Sequence, residues 1–199
     1  MPRHRFTNTR ERIEEAAQRL FVMRGINATS VRDITREVGI SEGALYRHFE
    51  SKDDLVWQSF EQHYTAFARE LESLAAREST ARQRIAAMIR GFCRAHDDNP
   101  TRFNFLVFVQ HGQLAKLPAD APTPVTVIRK VIVNAIEQSE IPPQDPDLAT
   151  ALVLGTVLQP ATFAAYGRIA LTLEPVSDRL VAAAWAAVSA VPPNGASRS

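Results

Sequence analysis

The chain has 199 residues, 45% of them apolar and 23% charged, a make-up that fits an ordinary folded domain and excludes a wholly disordered chain. Its 23 Lys and Arg nearly balance 22 Asp and Glu, and a net charge of +1 points to neither nucleic acid nor an acidic substrate, so any basic surface must be local. The single cysteine, Cys93, excludes an intrachain disulfide and a cysteine-based zinc cluster.

The opening stretch, MPRHRFTNTR, is polar and lacks the apolar core of a signal peptide. Apolar runs are expected to fall well short of the ~18 residues of a membrane span, so a cytoplasmic protein is expected. Residues 1–10 carry Arg3, Arg5 and Arg10 with no acid. Such a stretch suits a basic arm that enters a minor groove, and equally a solvated tail.

Helices are predicted almost throughout, and no run alternates with period two. Ile13, Ala16, Ala17, Leu20 and Phe21 share one helical face, and Gly25 suits the left-handed stop. Ser30 with Asp33 predicts a capping box that opens a short helix over Val31–Val38. After the turn at Gly39, Ser41 is placed to cap a third helix that carries Ala44, Leu45 and Phe49. Ser51 with Asp54 predicts a second capping box and a long helix, with Leu55, Phe60, Phe67, Leu71 and Leu74 inward. A helix over about 80–96 is predicted to break at Asn99-Pro100, and an apolar one follows and fades near Gly112. After a proline-rich loop over 117–124, helices are expected at about 125–138, 146–166 and 175–190. A disordered tail is expected over 191–199.

The second and third helices have the size and spacing of a helix-turn-helix. Ser41, Glu42, Gly43 and Ala44 are small or polar, which lets the third helix come close to a major groove. Leu45 and Phe49 point back to its support, while Tyr46, Arg47 and His48 supply groups for phosphates and bases. The same pattern also fits three short packed helices with no role on DNA.

The run TSVRDITREVGISEGALYRHFESKDDL, Thr29 to Leu55, resembles the DNA-binding domain of the TetR family of transcriptional regulators. The resemblance rests on the Thr29-Ser30 pair, Ile34, Val38-Gly39-Ile40-Ser41, Leu45-Tyr46, His48-Phe49, Ser51-Lys52 and Leu55, with Phe21 and Gly25 before them, and covers about residues 8–60. Arg36 and Glu37 stand where the family often has a small residue nearby. The resemblance implies an all-α protein, with a DNA-binding domain over 1–54 and a helical regulatory and dimerisation domain over 55–190. It implies that Tyr46, His48 and Lys52 reach phosphates, as do Thr29 and Ser30. It also implies that Ser41, Glu42, Gly43 and Arg47 face the groove, Arg47 reading guanine and Glu42 accepting from cytosine N4, although an acid in a first helical turn also suits the helix dipole. Lys52→Ala is expected to weaken binding evenly on all sequences.

For the second half the resemblance implies a cavity for a hydrophobic or aromatic effector. The candidate lining is Phe60, Tyr64, Phe67, Phe92, Phe103, Phe105 and Phe108, together with His111, Gln159 and Phe163. The same aromatic spacing fits a filled core. Phe105→Ala is expected to enlarge the site. Pro160 should kink the helix that holds it. Small residues over 148–166 and 175–190 suit a four-helix interface between two copies, or an intrachain core. Cys93 and His96 share a helical face but lack further metal ligands, and no cofactor is implied. No phosphate loop, metal motif or nucleophile motif speaks for an enzyme. A regulator released from a palindromic operator by its effector is the expectation, with an effector-independent DNA-binding regulator or architectural protein as the alternative.

Overall fold

The computed structural model describes residues 9–190. Arg3, Arg5 and the expected tail over 191–199 lie outside the described residues. Nine α-helices and no strand occur among these: α1 (Thr9–Arg24), α2 (Val31–Val38), α3 (Glu42–Tyr46), α4 (Lys52–Ala76), α5 (Ala81–Asp98), α6 (Pro100–Gln113), α7 (Pro124–Glu137), α8 (Pro146–Ala165) and α9 (Ser177–Ser189).

The local signals act where expected, with two adjustments, at the starts of α4 and α9. Ser30 Oγ accepts from Asp33 N at 3.1 Å while Asp33 accepts from Ser30 N at 3.0 Å, the reciprocal box that starts α2. At α4 only half of such a box forms. Ser51 Oγ accepts from Asp54 N, but the Asp54 carboxylate turns back to Glu50 N at 2.9 Å. Asn99 ends α5 and at once caps α6, its Oδ1 accepting from Arg102 N, with Pro100 in the first turn where a missing N–H costs nothing. The last helix starts at Ser177 after a 3-10 turn over Glu174–Val176. That turn is held by Asp97, whose carboxylate accepts from the N–H groups of Leu173 and Glu174 at 2.9 and 2.7 Å. Burial opposes its ionisation, yet these bonds and His96 keep the Asp97 carboxyl below its ordinary range.

The chain forms two compact units. The first holds residues up to Tyr64 together with Asn99–Ala121. Its core joins Ile13, Leu20 and Phe21 of α1 to Ile34 and Val38 of α2 and to Leu45 and Phe49. Leu55, Val56, Phe60 and Tyr64 of α4 and Phe105, Leu106 and Val109 of α6 complete it. The Phe21 and Phe105 rings stack at 6.2 Å, and Phe60 lies 4.7 Å from Tyr64.

The second unit, Thr65–Asp98 and the chain from Pro122 onward, packs α5, α7, α8 and α9 with the last turns of α4. Gly91 is required there by space, since a Cβ would fall 2.8 Å from Leu74 Cδ1. Cys93 is buried in α5, and burial pushes its thiol up to about 11, far from a reactive thiolate. α8 corrects the expectation of short apolar runs. It is 20 residues long, and by length and composition alone apolar enough to cross a membrane. Its threonine hydroxyls donate within the helix, Thr150 to Pro146 O and Thr162 to Leu158 O, so they do not need water.

Candidate nucleic-acid interface

The turn between α2 and α3 rests on one backbone conformation. Gly39 sits at φ +76°, and both its N–H and that of Ile40 close on Thr35 O at 2.9 and 3.0 Å. Only glycine takes that conformation without strain. Ser41 then caps α3 by accepting from Ala44 N. Leu45 and Phe49, both buried, anchor the short helix in the core of the first unit. The opposite face, Ser41, Glu42, Gly43, Tyr46 and Arg47, is exposed, while His48 is half-buried with its ring 6.5 Å from that of Phe49.

Gly43 has no internal reason to be glycine. Its φ is not positive, and an added Cβ would meet only Ser41 Oγ, at 4.0 Å. Glycine inside a helix costs about 0.5–1 kcal/mol relative to alanine. Gly43→Ala should therefore raise unfolding stability by up to about that amount. Gly43→Leu should fold equally well yet weaken binding to an operator duplex in a mobility-shift assay. Equal affinity for parent and Gly43→Leu would show that this face stays away from DNA.

Three residues expected at phosphates are committed inside the chain. Thr29 is buried, and its hydroxyl donates to Gly25 O at 2.9 Å. Lys52 Nζ donates to Ile26 O and Thr29 O at 2.8 and 2.9 Å, tying the start of α4 to the α1–α2 loop. Ser30 is exposed, and its hydroxyl is engaged with Asp33 at 2.6 Å. Arg10, expected in a free arm, pairs with Glu14 at 3.0 Å and lies 4.7 Å above the Phe49 ring. The residues at the family's small positions are also accounted for, since Glu37 pairs with Arg19 of α1 at 2.9 Å and Arg36 lies 3.7 Å from Asp33.

Two further features have no local signal in the sequence. Arg32 and Arg36 project from α2 into solvent beside the recognition face. Behind that face, a polar cluster is buried between α1, α4 and α6. Glu14 lies 3.8 Å from His63 Nε2, Gln18 donates to Ser59 at 2.8 Å, and Arg102 Nε is buried without a hydrogen-bond partner. Burial, then the charge of Arg102, drives the His63 imidazole down to about 4, so it is neutral near pH 7. Burial raises the Glu14 carboxyl against the pull of Arg10 and Arg102.

The signs oppose one another. The unfolded chain takes up the proton that folded His63 refuses, so its contribution is complete above pH 6.5 and lost towards pH 4. Glu14 holds its proton more tightly when folded, so its contribution is lost as pH rises through its titration. Urea unfolding at pH 7 and pH 5 should show a loss on acidification that is smaller in His63→Gln. An identical loss in both proteins would remove His63 as its source.

The ten candidate lining residues fall in both units. Phe60, Tyr64, Phe103 and Phe105 are buried in the first, where Phe108 and His111 are exposed. Phe67 and Phe92 meet edge to face at 4.9 Å in the second, where Gln159 and Phe163 stand on the exposed face of α8. The second unit also has an open cleft of about 180 Å³ lined by Ala75, Ala76, Val127 and Val131 together with Glu72, Arg84, Lys130 and Asn134, none of the ten among them.

Residues 13–57 match the profile described as bacterial regulatory proteins, tetR family. An HTH-type transcriptional regulator of Staphylococcus aureus is 37% identical over 65 residues, which is 33% of this chain and 35% of that protein, so the match spans about a third of the relative's length. The fold is similar over nearly the whole chain to the TetR-family transcriptional regulator PfmR of Thermus thermophilus, with TM-score 0.70, 21% identity, and 94% of this chain and 100% of that one covered. It is equally similar to the transcriptional regulator FadR of Bacillus subtilis in complex with stearoyl-CoA, with TM-score 0.71, 17% identity, and 91% and 98% covered. The turn at Gly39, the capped helix behind Ser41 and the matched stretch coincide, so residues 13–57 form a helix-turn-helix domain of the kind found in the tetR family of bacterial regulatory proteins.

Proposed function

We propose that the chain acts in the cytoplasm as a homodimeric regulator that binds a pseudo-palindromic operator and is released by a hydrophobic small molecule. The observation that carries this reading is a stripe on α8. Leu148, Leu152, Gly155, Gln159, Phe163 and Tyr166 follow one another at helical spacing, and all are exposed. An apolar stripe of this length is unusual on a monomer. Gly155 has nothing within 4 Å of an added Cβ, which leaves room for a second helix to approach closely. Two copies joined there would present two recognition helices to half-sites about one helical turn apart. Within the 175–190 stretch, which suits an interface or an intrachain core, Ala184 and Val188 are buried in the subunit's own core.

Gly155→Arg tests the dimer without disturbing the fold, because its position is open in the single chain. Sedimentation should show monomer, and operator binding should be lost. A dimer of unchanged strength would place the interface elsewhere. The stearoyl-CoA bound by the similar FadR supports an apolar acyl group as the effector class. Titration of a long-chain acyl-CoA by calorimetry, with and without operator, tests the coupling. Ligand and operator should weaken one another by the same factor, typically 1–3 kcal/mol. Equal acyl-CoA affinity in both titrations would remove effector release from the reading.

A further inference from the structure

Glu42 stands in the first position of the helix offered to DNA, and it is exposed. By charge it is misplaced, because duplex DNA carries a negative charge every ~1.7 Å of its axis. The fold does not need it there. Ser41 already caps the helix, and five residues make only a weak dipole for an acid to stabilise. The neighbouring acids do have structural employment, Asp33 in the cap of α2 and Glu37 in its pair with Arg19.

Glu42 has a different kind of partner. Arg32 Nε, reaching across the turn from α2, lies 3.6 Å from Glu42 Oε1, with the side chains 77% and 48% exposed. An ion pair this exposed contributes little to folding. Its effect is on the charge and direction of the carboxylate, next to a glycine whose missing side chain nothing inside the chain explains.

We propose that Arg32 is a positioning residue for base recognition: it neutralises Glu42 and holds that carboxylate so that it accepts from the N4 amino group of a cytosine in the major groove. This rests on the DNA-binding reading of α3. The choice of base follows from the groove edges. Only cytosine and adenine present amino donors there, and adenine sets its N7 acceptor beside the donor, where it faces the second carboxylate oxygen. Cytosine presents the donor without an acceptor on the same base edge. The arginine cancels the repulsion that an isolated carboxylate would meet from every phosphate.

The experiment is selection from a randomised duplex library, followed by mobility shifts on the selected site and its single-base variants. Parent, Glu42→Gln, Arg32→Ala and the double variant are compared. Thermal unfolding should be equal for all four, since both side chains are exposed. The parent should prefer cytosine at one position per half-site by about tenfold. Glu42→Gln should lose most of that preference. Arg32→Ala should weaken binding on every sequence, and the double variant should recover most of the lost affinity but not the preference. Equal losses from Arg32→Ala with and without Glu42 would make Arg32 an ordinary phosphate contact and overturn the proposal. So would a cytosine preference that survives Glu42→Gln. A parent that selects a sequence without cytosine at that position overturns it while leaving DNA binding intact, whereas a parent that selects no sequence removes the DNA-binding reading as well.

Discussion

Phe105→Ala should cost about 3–5 kcal/mol of unfolding stability, the range for removing a fully buried aromatic ring that the surroundings cannot replace. Phe105 has no exposed surface and stacks on Phe21 of α1, in the core that also holds Leu45 and Phe49 behind the recognition helix. The cavity would open beneath the DNA-binding helices. Urea unfolding should show a lower midpoint with an unchanged slope. Operator binding should fall through loss of folded protein at temperatures near the lowered transition. A variant that unfolds like the parent but binds a hydrophobic effector differently would show that the ring lines a pocket, as its place in an apolar sequence first suggests.

Lys52→Ala carries the second large effect, about 2–4 kcal/mol. Hydrogen bonds from a charged donor are worth about 1.5–3 kcal/mol each, and Lys52 makes two, to Ile26 O and Thr29 O, their sum being reduced because the side chain is only half-buried. Both carbonyls lie in the loop that sets α2 against α1. Losing the ammonium should loosen the motif as well as destabilise it. A phosphate contact predicts something else, unchanged stability and a salt dependence of binding shallower by about one unit. Unfolding and binding measured on the same variant separate the two. Unchanged stability with a flattened salt slope would return Lys52 to the phosphates.

Much of the first unit was legible in the sequence because its signals are local. Ser30 with Asp33, the left-handed Gly39 and the Ser41 cap act across three or four residues, and the same atoms meet whatever surrounds them. The inward placement of Leu45 and Phe49 follows from helical period alone. At Ser51 only half of the capping box forms, because the Asp54 carboxylate accepts from Glu50 N instead. The intrachain partners of Thr29 and Lys52 were not legible. A hydroxyl or an ammonium reads the same whether it meets a phosphate or a carbonyl, and the acceptors of Lys52 are 23 and 26 residues away. The Glu14–His63 cluster was invisible for the same reason, since its members belong to different helices.

By itself the sequence determined an all-helical chain with a capped helix-turn-helix near its start, and a composition too balanced for its charge to announce DNA. Tertiary structure alone decided which apolar residues became core and which stayed in water. On α8 nearly every position is apolar, so period cannot separate buried Val153 and Val157 from exposed Leu152 and Phe163. On α9 the small residues look alike, yet Ala184 is sealed while its neighbour Ala183 is exposed. α6 reads as an apolar helix of the second half, and only packing puts Phe105 against Phe21. The physical reason is the same in each case. Burial is a pairing of surfaces from distant parts of the chain, and hydrophobicity, being non-directional, carries no record of its partner.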